Sequence, residues 1–184
     1  MENLSKRELE KQNHEKEIIS AAEKVFCRDG YEDASMDEIS KEAQFTKRTV
    51  YQHFDSKEEL YFAAALKGYQ FLLSELKKAE KKGKTGFEKL ELTCRYFYKF
   101  CKDNPEIFQM ISYWGFIKKK TIDKNTRKNQ LIQMNDYLSH DLAEMIEEGK
   151  ADGSIQPDID SEKTAYSLTF LMTGFFHQIS VTDD

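Results

Sequence analysis

The stretch that decides the fold is SMDEISKEAQFTKRTVYQHFDSKEEL, which occupies residues 35–60. Two residue pairs in it, Ser35 with Glu38 and Ser56 with Glu59, have the spacing of a capping box. In a capping box a hydroxyl and a carboxylate together satisfy backbone N–H groups that the first turn of a helix leaves free. Each pair therefore marks a residue at which a helix begins.

A third helix start lies between the two capping boxes. The hydroxyl of Thr46 can cap a helix over about 47–53, while the first capping box predicts a helix over about 36–43. The second box begins a long helix that runs toward Lys82. Two short helices joined by a tight turn, the second of them polar and basic, are typical of a helix-turn-helix DNA-binding unit.

The outward face of the second short helix follows from helical geometry. If Val50 points to the core, a rotation of about 100° per residue places Arg48 and Gln52 on the opposite side. Thr49 and Tyr51 flank them. Arg can pair with guanine, Gln with adenine and a Thr methyl with the thymine methyl, while other residues donate to phosphates and fix the register. The candidate DNA-contacting residues are Ser35, Thr46, Lys47, Arg48, Thr49, Tyr51, Gln52, His53 and Lys57.

The charge of the chain does not by itself indicate a nucleic-acid partner. The 184 residues carry a formal net charge of −5, without the basic footprint expected of a DNA-binding protein. Only Lys47, Arg48 and Lys57 form a local basic excess over Asp55. Each of these residues also fits a solvated helix face. A helical protein-interaction module that does not bind DNA is therefore the alternative, and salt-dependent duplex binding would distinguish the two.

The arrangement as a whole resembles the N-terminal domain of the TetR family of bacterial and archaeal transcriptional regulators, over about residues 14–62. The family often has Gly where this chain has Gln44, and a left-handed residue other than Gly costs about 1 kcal/mol. The resemblance implies a dimeric, repressor-like switch that binds double-stranded DNA at a palindrome and has a variable ligand domain for a small-molecule effector. The matching residues are Ala22, Phe26, Gly30, Tyr31, Ser35, Ile39, Ala43, TVYQHF at 49–54 and SKEEL at 56–60.

Composition predicts an all-α chain. Eight glycines and two prolines leave few helix breakers, and no stretch is long enough for a convincing strand. The first helix is predicted over about 13–29, after a frayed polar segment at 1–12, and Gly30 is a natural left-handed stop. We divide the chain into a helix-turn-helix DNA-binding domain at 1–55 and a ligand-binding and dimerisation domain at 56–184.

Other classes of protein find little support in the sequence. No apolar run reaches the ~20 residues of a membrane span, and the charged N-terminus is unlike a signal peptide, so we expect a cytoplasmic protein without a membrane partner. There is no glycine-rich phosphate loop and no HExxH motif, so we expect neither an enzyme nor a cofactor. His140 and Glu144 have helical i, i+4 spacing, but a lone pair of this kind is usually a surface contact. We therefore expect no metal site.

Aromatic residues are concentrated between residues 87 and 117. A helix that is apolar on two sides is buried between neighbours, so simple core packing explains most of these residues. The alternative is a pocket for a hydrophobic or amphipathic effector, lined by aromatic rings with few polar anchors. A segment rich in Lys and Arg follows at 118–128. It is either a solvated loop or a basic patch that attracts an anionic ligand to the mouth of the pocket. The candidate ligand-binding residues are Tyr96, Phe97, Phe100, Phe108, Tyr113 and Trp114.

The C-terminal third predicts a homodimer interface. A helix over about 126–149 has one apolar face, and residues 165–179 are apolar nearly all round, so the last helix must be covered on both sides. Two such helices from each of two chains would form a four-helix bundle. Burial inside the monomer is the alternative. The candidate dimerisation residues are Leu138, Leu142, Leu168, Leu171, Phe175 and Ile179.

Overall fold

The computed structural model describes residues 5–117 and 127–182, with side chains described except for Phe116 and residues 175–182. The described residues form α-helices and one short 3-10 helix, Trp114–Phe116. The prediction of an all-α fold is confirmed. The helices are α1 (Lys6–Asp33), α2 (Met36–Glu42), α3 (Lys47–His53), α4 (Lys57–Glu80), α5 (Gly86–Asp103), α6 (Pro105–Tyr113), α7 (Arg127–Asp152) and α8 (Ser161–Thr182).

The first helix begins earlier than the sequence suggested. Ser5 and Glu8 form a capping box, in which the Glu8 N–H donates to the Ser5 hydroxyl at 3.3 Å. The prediction of a frayed segment is therefore wrong for residues 6–12, which are helical. Gly30 has φ +73 and interrupts the helical backbone where a stop was expected, but the chain resumes a helical turn and α1 continues to Asp33.

The two short helices begin at the predicted residues. The Ser35 hydroxyl accepts the Glu38 N–H at 3.2 Å, and the Thr46 hydroxyl accepts the Thr49 N–H at 3.1 Å. Gln44 in the turn between them has φ +57, in the left-handed region that favours glycine. The turn therefore keeps a left-handed residue at this position although the side chain makes it unfavourable.

One hydrophobic core runs through both proposed domains. Ile18 and Phe26 of α1 pack in the same cluster as Phe62 of α4 and Leu131 and Leu138 of α7. Helix α4 contacts α1 of the N-terminal part as well as α5, α6 and α7. The division at residues 55 and 56 therefore separates proposed functions, while the packing continues across it.

Helices α5 and α7 approach closely at two glycines. A Cβ added at Gly86 would overlap the backbone nitrogen of Gly149 and the carbonyl oxygen of Met145. The Gly86 N–H donates to the carboxylate of Asp152 at 2.8 Å, and the Phe87 N–H donates to the Ser154 hydroxyl at 3.1 Å. The start of α5 is thus held against the end of α7 by backbone contact.

Candidate nucleic-acid interface and effector cavity

The recognition face of α3 is formed as helical geometry predicts. Val50 is fully buried in the core, which turns the opposite face of the helix to solvent. Arg48, Tyr51 and Gln52 are exposed, and no hydrogen bond or ion pair to another described residue occupies these three side chains. Thr49 is half-buried at the edge of this face. The guanidinium, the phenol and the amide are therefore available to a ligand.

Other candidate DNA contacts are engaged within the protein. The hydroxyls of Thr46 and Thr49 lie 2.8 Å apart, and the Ser35 hydroxyl donates to the Glu38 carboxylate. Lys47 donates to Asp37 at 2.9 Å, and this hydrogen bond raises the pKa of the lysine. Ser35 and Thr46 thus hold helix starts, while Lys47 fastens α3 to α2 through an exposed ion pair that a phosphate could replace.

Lys57 is placed differently from the phosphate contact that we expected. Its ammonium donates to the carbonyl oxygens of Tyr31, Glu32 and Ala34 at 2.7, 3.1 and 3.0 Å. It also lies 4.5 Å from the centroid of the Tyr31 ring. All three N–H groups of the ammonium are therefore used to cap the end of α1, so in this structure Lys57 fixes α4 to α1 and has no donor left for DNA.

His53 points inward rather than toward the recognition face. Its ring centroid lies 6.1 Å from that of His14, which in turn packs on Phe45 at 4.9 Å. Burial lowers the pKa of His53, which disfavours the imidazolium form. The Nδ1 atom is buried without a hydrogen-bond partner among the described residues. His53 is therefore a packing residue in the free protein, not an exposed phosphate donor.

A cavity of about 260 Å³ lies among α4, α5, α6, α7 and α8. Of the predicted liners, Phe97, Phe108 and Trp114 do surround it. The rings of Phe97 and Phe108 meet edge to face, with centroids 5.8 Å apart. The sequence did not identify the other lining residues, which are Tyr69, Leu72, Ile111, Ser112, Gly115, Asn135, Thr173 and Gly174.

The remaining three predicted liners, Tyr96, Phe100 and Tyr113, do not line this cavity. The Tyr96 hydroxyl accepts from Lys82 at 2.7 Å near the surface. Phe100 is buried against Phe71, with ring centroids 5.6 Å apart. Tyr113 lies on the opposite side of α6, where it hydrogen-bonds to α1. Their side chains leave α5 and α6 on faces that point away from the cavity.

Two polar groups at the cavity wall, the Tyr69 hydroxyl and the Asn135 amide, share only a long hydrogen bond within the protein. The Tyr69 hydroxyl donates to the Asn135 side-chain oxygen at 3.4 Å, which is long for an O–H···O hydrogen bond. In contrast, the Ser112 and Thr173 hydroxyls donate to carbonyls of their own helices at 2.8 Å. Burial raises the pKa of Tyr69, so its hydroxyl stays protonated. Tyr69 and Asn135 are therefore the groups that can exchange their mutual contact for a ligand oxygen.

The proposed dimer surface also differs in its residues. Leu138 and Leu142 are buried within the protomer, so neither side chain lies on the surface that a partner chain would meet. Leu168 is half-buried, and Leu171 is 63% exposed. Two further aromatic residues on the same helix are exposed and were not predicted, Tyr166 at 61% and Phe170 at 77%. The predictions for Phe175 and Ile179 fall outside the side chains that are described.

Two sets of contacts join the N-terminal helices to the rest of the protein. The Tyr113 hydroxyl donates to the Glu32 carboxylate at 2.9 Å, linking α6 to α1. Arg127 at the start of α7 pairs with Glu15 of α1 at 2.7 Å and lies 5.2 Å from the ring centroid of Phe54. Because Phe54 ends α3, the start of α7 is in direct contact with that helix, whereas α6 is joined to α1.

The described residues show no sign of a metal site. Among them, no group of three or more His, Cys, Asp and Glu side chains is arranged to hold an ion. The His140 Nε2 lies 3.5 Å from the Glu144 carboxylate, and both side chains are exposed, as expected for a surface pair. None of the described helices combines the length and apolar character that crossing a membrane requires.

Helices α2 and α3, joined by the turn at Gln44, form a helix-turn-helix unit. Its second helix presents three polar side chains to solvent, opposite the buried Val50. The family model described as "Bacterial regulatory proteins, tetR family" matches residues 18–64. The HTH-type transcriptional activator FasR of Mycolicibacterium smegmatis is 32% identical over 95 residues, which are 52% of this chain and 43% of FasR. An HTH-type transcriptional regulator of Haemophilus influenzae is 27% identical over 112 residues, 60% of each chain.

Solved structures extend the likeness in fold to nearly the whole chain. A TetR-family regulator of Agrobacterium tumefaciens has a TM-score of 0.75 at 19% identity, over 95% of this chain and 90% of its own. FadR of Bacillus subtilis, in complex with stearoyl-CoA, has a TM-score of 0.74 at 18% identity, over 91% of this chain and 88% of FadR. AibR, in complex with isovaleryl coenzyme A and operator DNA, has a TM-score of 0.70 at 19% identity, over 89% of this chain and 85% of AibR.

The chain contains, over residues 18–64, the helix-turn-helix domain of the TetR family, a family of transcriptional regulators and not of enzymes. It spans about half the length of the curated relatives that it matches. The match at 18–64 begins within α1 and ends within α4. It therefore includes α3 and the first two turns of α4, the helix that contributes Tyr69 and Leu72 to the cavity wall.

Proposed function

We propose that this protein is a homodimeric transcriptional regulator of the repressor type. It binds a palindromic operator through α3 and is released when an acyl-CoA effector enters the cavity. The observation that carries the proposal is the recognition face itself, where Arg48, Tyr51 and Gln52 are exposed and unpaired within the described protein. Their guanidinium, phenol and amide groups can reach a DNA groove and its phosphates without first breaking a contact within the described protein.

The roles of these residues follow from their chemistry. Arg48 can donate two hydrogen bonds to a guanine, and Gln52 can pair with an adenine. The methyl group of Thr49 can contact a thymine, since its hydroxyl is held by Thr46 at 2.8 Å. Tyr51 can donate to a phosphate, which positions the helix without reading sequence. Lys47 can add a second phosphate contact after leaving Asp37.

Replacing Arg48 with alanine should lower the affinity for the preferred operator by about 1–3 kcal/mol and relax the preference at one base pair. The operator is first selected from a random duplex library, and binding is then measured by fluorescence anisotropy at several salt concentrations. Arg95→Ala is the matched control, because Arg95 is an equally exposed arginine on α5 that pairs with Glu91. An equal loss on random and preferred DNA would show that Arg48 does not read a base.

The effector class is inferred from the cavity together with the neighbouring structures. FadR of Bacillus subtilis and AibR were solved with acyl-CoA molecules, and this chain has the same fold. Phe97, Phe108 and Ile111 give its cavity the apolar wall that an acyl chain needs. A volume of about 260 Å³ is at the lower limit of ligand pockets. The proposed effector therefore has a short or medium acyl chain, shorter than that of stearoyl-CoA.

The polar anchors for such an effector are Tyr69 and Asn135. A thioester carbonyl accepts hydrogen bonds, and the Tyr69 hydroxyl and the Asn135 amide can each donate one. Since their mutual hydrogen bond is long, little is lost when the ligand replaces it. Helix α6 contributes Phe108, Ile111 and Ser112 to the cavity and Tyr113 to α1, so an effector that shifts α6 acts on the DNA-binding helices.

Calorimetric titration of an acyl-CoA series should show tightest binding at a short or medium chain. Operator DNA should weaken that binding by the factor by which the effector weakens operator binding, because coupling between sites is reciprocal. Tyr69→Phe should reduce effector affinity about twofold to tenfold through the loss of one hydrogen bond. Tyr96→Phe is the matched control, because its hydroxyl lies outside the cavity. Equal effector affinities with and without operator would exclude that effector as the inducer.

A further inference from the structure

Two histidines meet where the recognition helix packs on the first helix. His53 is the last residue of α3, and its ring centroid lies 6.1 Å from that of His14 on α1, with the two rings edge to face at 69°. His14 also packs on Phe45 in the turn between α2 and α3, at 4.9 Å. Both histidines are half-buried. This histidine pair therefore joins α1 to both ends of the segment that contains α3.

The surroundings of the His53 ring suit a neutral imidazole. Its Nδ1 atom is buried and has no hydrogen-bond partner among the described residues. A neutral imidazole carries one N–H, so Nδ1 can remain a bare acceptor, whereas an imidazolium carries an N–H on both nitrogens. A buried charged donor without an acceptor costs more than a neutral group without a partner. Protonation of His53 in this position is therefore unfavourable.

The charges near the pair do not remove this cost. The ionisable groups in or next to the contact come from three helices, and they are Lys11, His14 and Glu15 of α1, Glu59 of α4 and Arg127 of α7. Phe45 in the turn adds no charge. Lys11 and His14 oppose a positive charge on His53, and Glu15 favours it. The Glu15 carboxylate, however, is already paired with Arg127 at 2.7 Å.

These effects fix the direction of the pH dependence. Burial lowers the pKa of His53 most, and the charges of His14 and Lys11 lower it further, against the opposing effect of Glu15. The unfolded chain has the ordinary histidine value of about 6.5 and therefore binds this proton more readily. The contribution of His53 to stability is thus complete above about pH 6.5 and is lost as the pH falls through the lower folded value.

We propose that the histidine pair is a pH-sensitive contact, which fixes the end of α3 against α1 while His53 is neutral and opens when that ring is protonated. The imidazolium would leave His14 for water, where both N–H groups find acceptors. The next residue, Phe54, ends α3 and is buried, so the displacement starts at the recognition helix. Opening is a property of the free protein. Only the further expectation that acid weakens operator binding depends on the proposed function.

The first test follows the free, full-length chain by nuclear magnetic resonance from about pH 8 to about pH 5, the range in which histidines change charge. The ring signals of His53 should titrate below the ordinary histidine value. Overhauser contacts between the rings of His14 and His53 should disappear in the same step, together with shifts of the amide signals of residues 49–54. The proposal is overturned if His53 titrates at or above about 6.5, or if the ring contacts persist after it is protonated.

Two variants show whether His53 is responsible. His53→Phe keeps an aromatic ring in the contact but cannot be protonated, so the acid-induced amide shifts at 49–54 should vanish. His140→Gln is the matched control, because His140 is an exposed histidine on α7, and its acid-induced shifts should equal those of the wild type. Thermal melts at neutral pH confirm that both variants are folded. Unchanged acid-induced shifts in His53→Phe would overturn the proposal.

Operator binding gives a test with two opposite signs. At constant salt, wild-type affinity should fall about threefold to tenfold between about pH 8 and about pH 5, while His53→Phe should keep one affinity throughout. A wild-type affinity that rises in acid, with no rise in His53→Phe, would overturn the proposal, because the imidazolium would then bind a phosphate. A protein that binds no duplex at any pH would contradict the proposed function, while the resonance titration still decides the histidine pair.

Discussion

Replacing Gly86 with alanine is expected to lower the free energy of unfolding by about 3 kcal/mol. The added methyl group would overlap the backbone of Gly149 and Met145, and backbone atoms cannot move aside as a flexible side chain can. Helix propensity alone predicts the opposite sign, a gain of up to about 1 kcal/mol for alanine over glycine. Urea denaturation followed by circular dichroism measures the difference directly.

Gly115→Ala is the matched control for this substitution. A Cβ at Gly115 would meet no atom within 4 Å, and its φ does not lie in the left-handed region. Its unfolding free energy should therefore change by no more than about 0.5 kcal/mol. If Gly86→Ala is as stable as Gly115→Ala, the close approach of α5 and α7 is not required for the fold.

Replacing Phe170 with glutamate should convert the proposed homodimer into monomers. Phe170 is 77% exposed in the protomer, between Tyr166 and Leu171 on α8, and a carboxylate buried there without a partner costs several kcal/mol. The dissociation constant should rise by at least about a hundredfold, since 1.4 kcal/mol corresponds to a factor of ten. Analytical ultracentrifugation measures this change, and operator affinity should fall in parallel.

Phe87→Glu tests whether the effect is specific to α8. Phe87 is 51% exposed at the start of α5, a different helix from that of Phe170, and a carboxylate in the first turn of a helix is favourable. This variant should remain dimeric and keep the wild-type operator affinity. A wild-type protein that sediments as a monomer at micromolar concentration would exclude the α8 interface, whatever the variants do.

Local signals explain why part of the fold could be read from the sequence. Ser35, Thr46 and Ser56 each cap the helix that follows them through a hydroxyl three residues before a bonded N–H. Such contacts depend on neighbours in the chain alone. The same Ser-x-x-Glu pattern at Ser5 and Glu8 caps the start of α1, seven residues before the predicted start at about residue 13.

Tertiary contacts explain the errors. Lys57 looks like a free cation in the sequence, because the carbonyls that it binds lie 23 to 26 residues earlier in the chain. A helix that is apolar on two sides does not reveal which side faces a cavity, and Tyr96 and Phe100 contact Lys82 and Phe71 instead. Leu142 packs against Ala165 and Leu168 of α8 in its own protomer, a contact that the sequence does not distinguish from one with a partner chain.

The core that α1, α4 and α7 share has a consequence for how the specificity of this protein can be redesigned. A chimaera joined at residue 55 would cut through that core and would also separate Arg127 from Glu15 and Phe54. In such a hybrid, core side chains from two different parent proteins would have to pack against one another. Arg48 and Gln52, by contrast, lie outside the core. Specificity for a new operator is therefore better changed by substituting exposed residues of α3 than by exchanging whole domains.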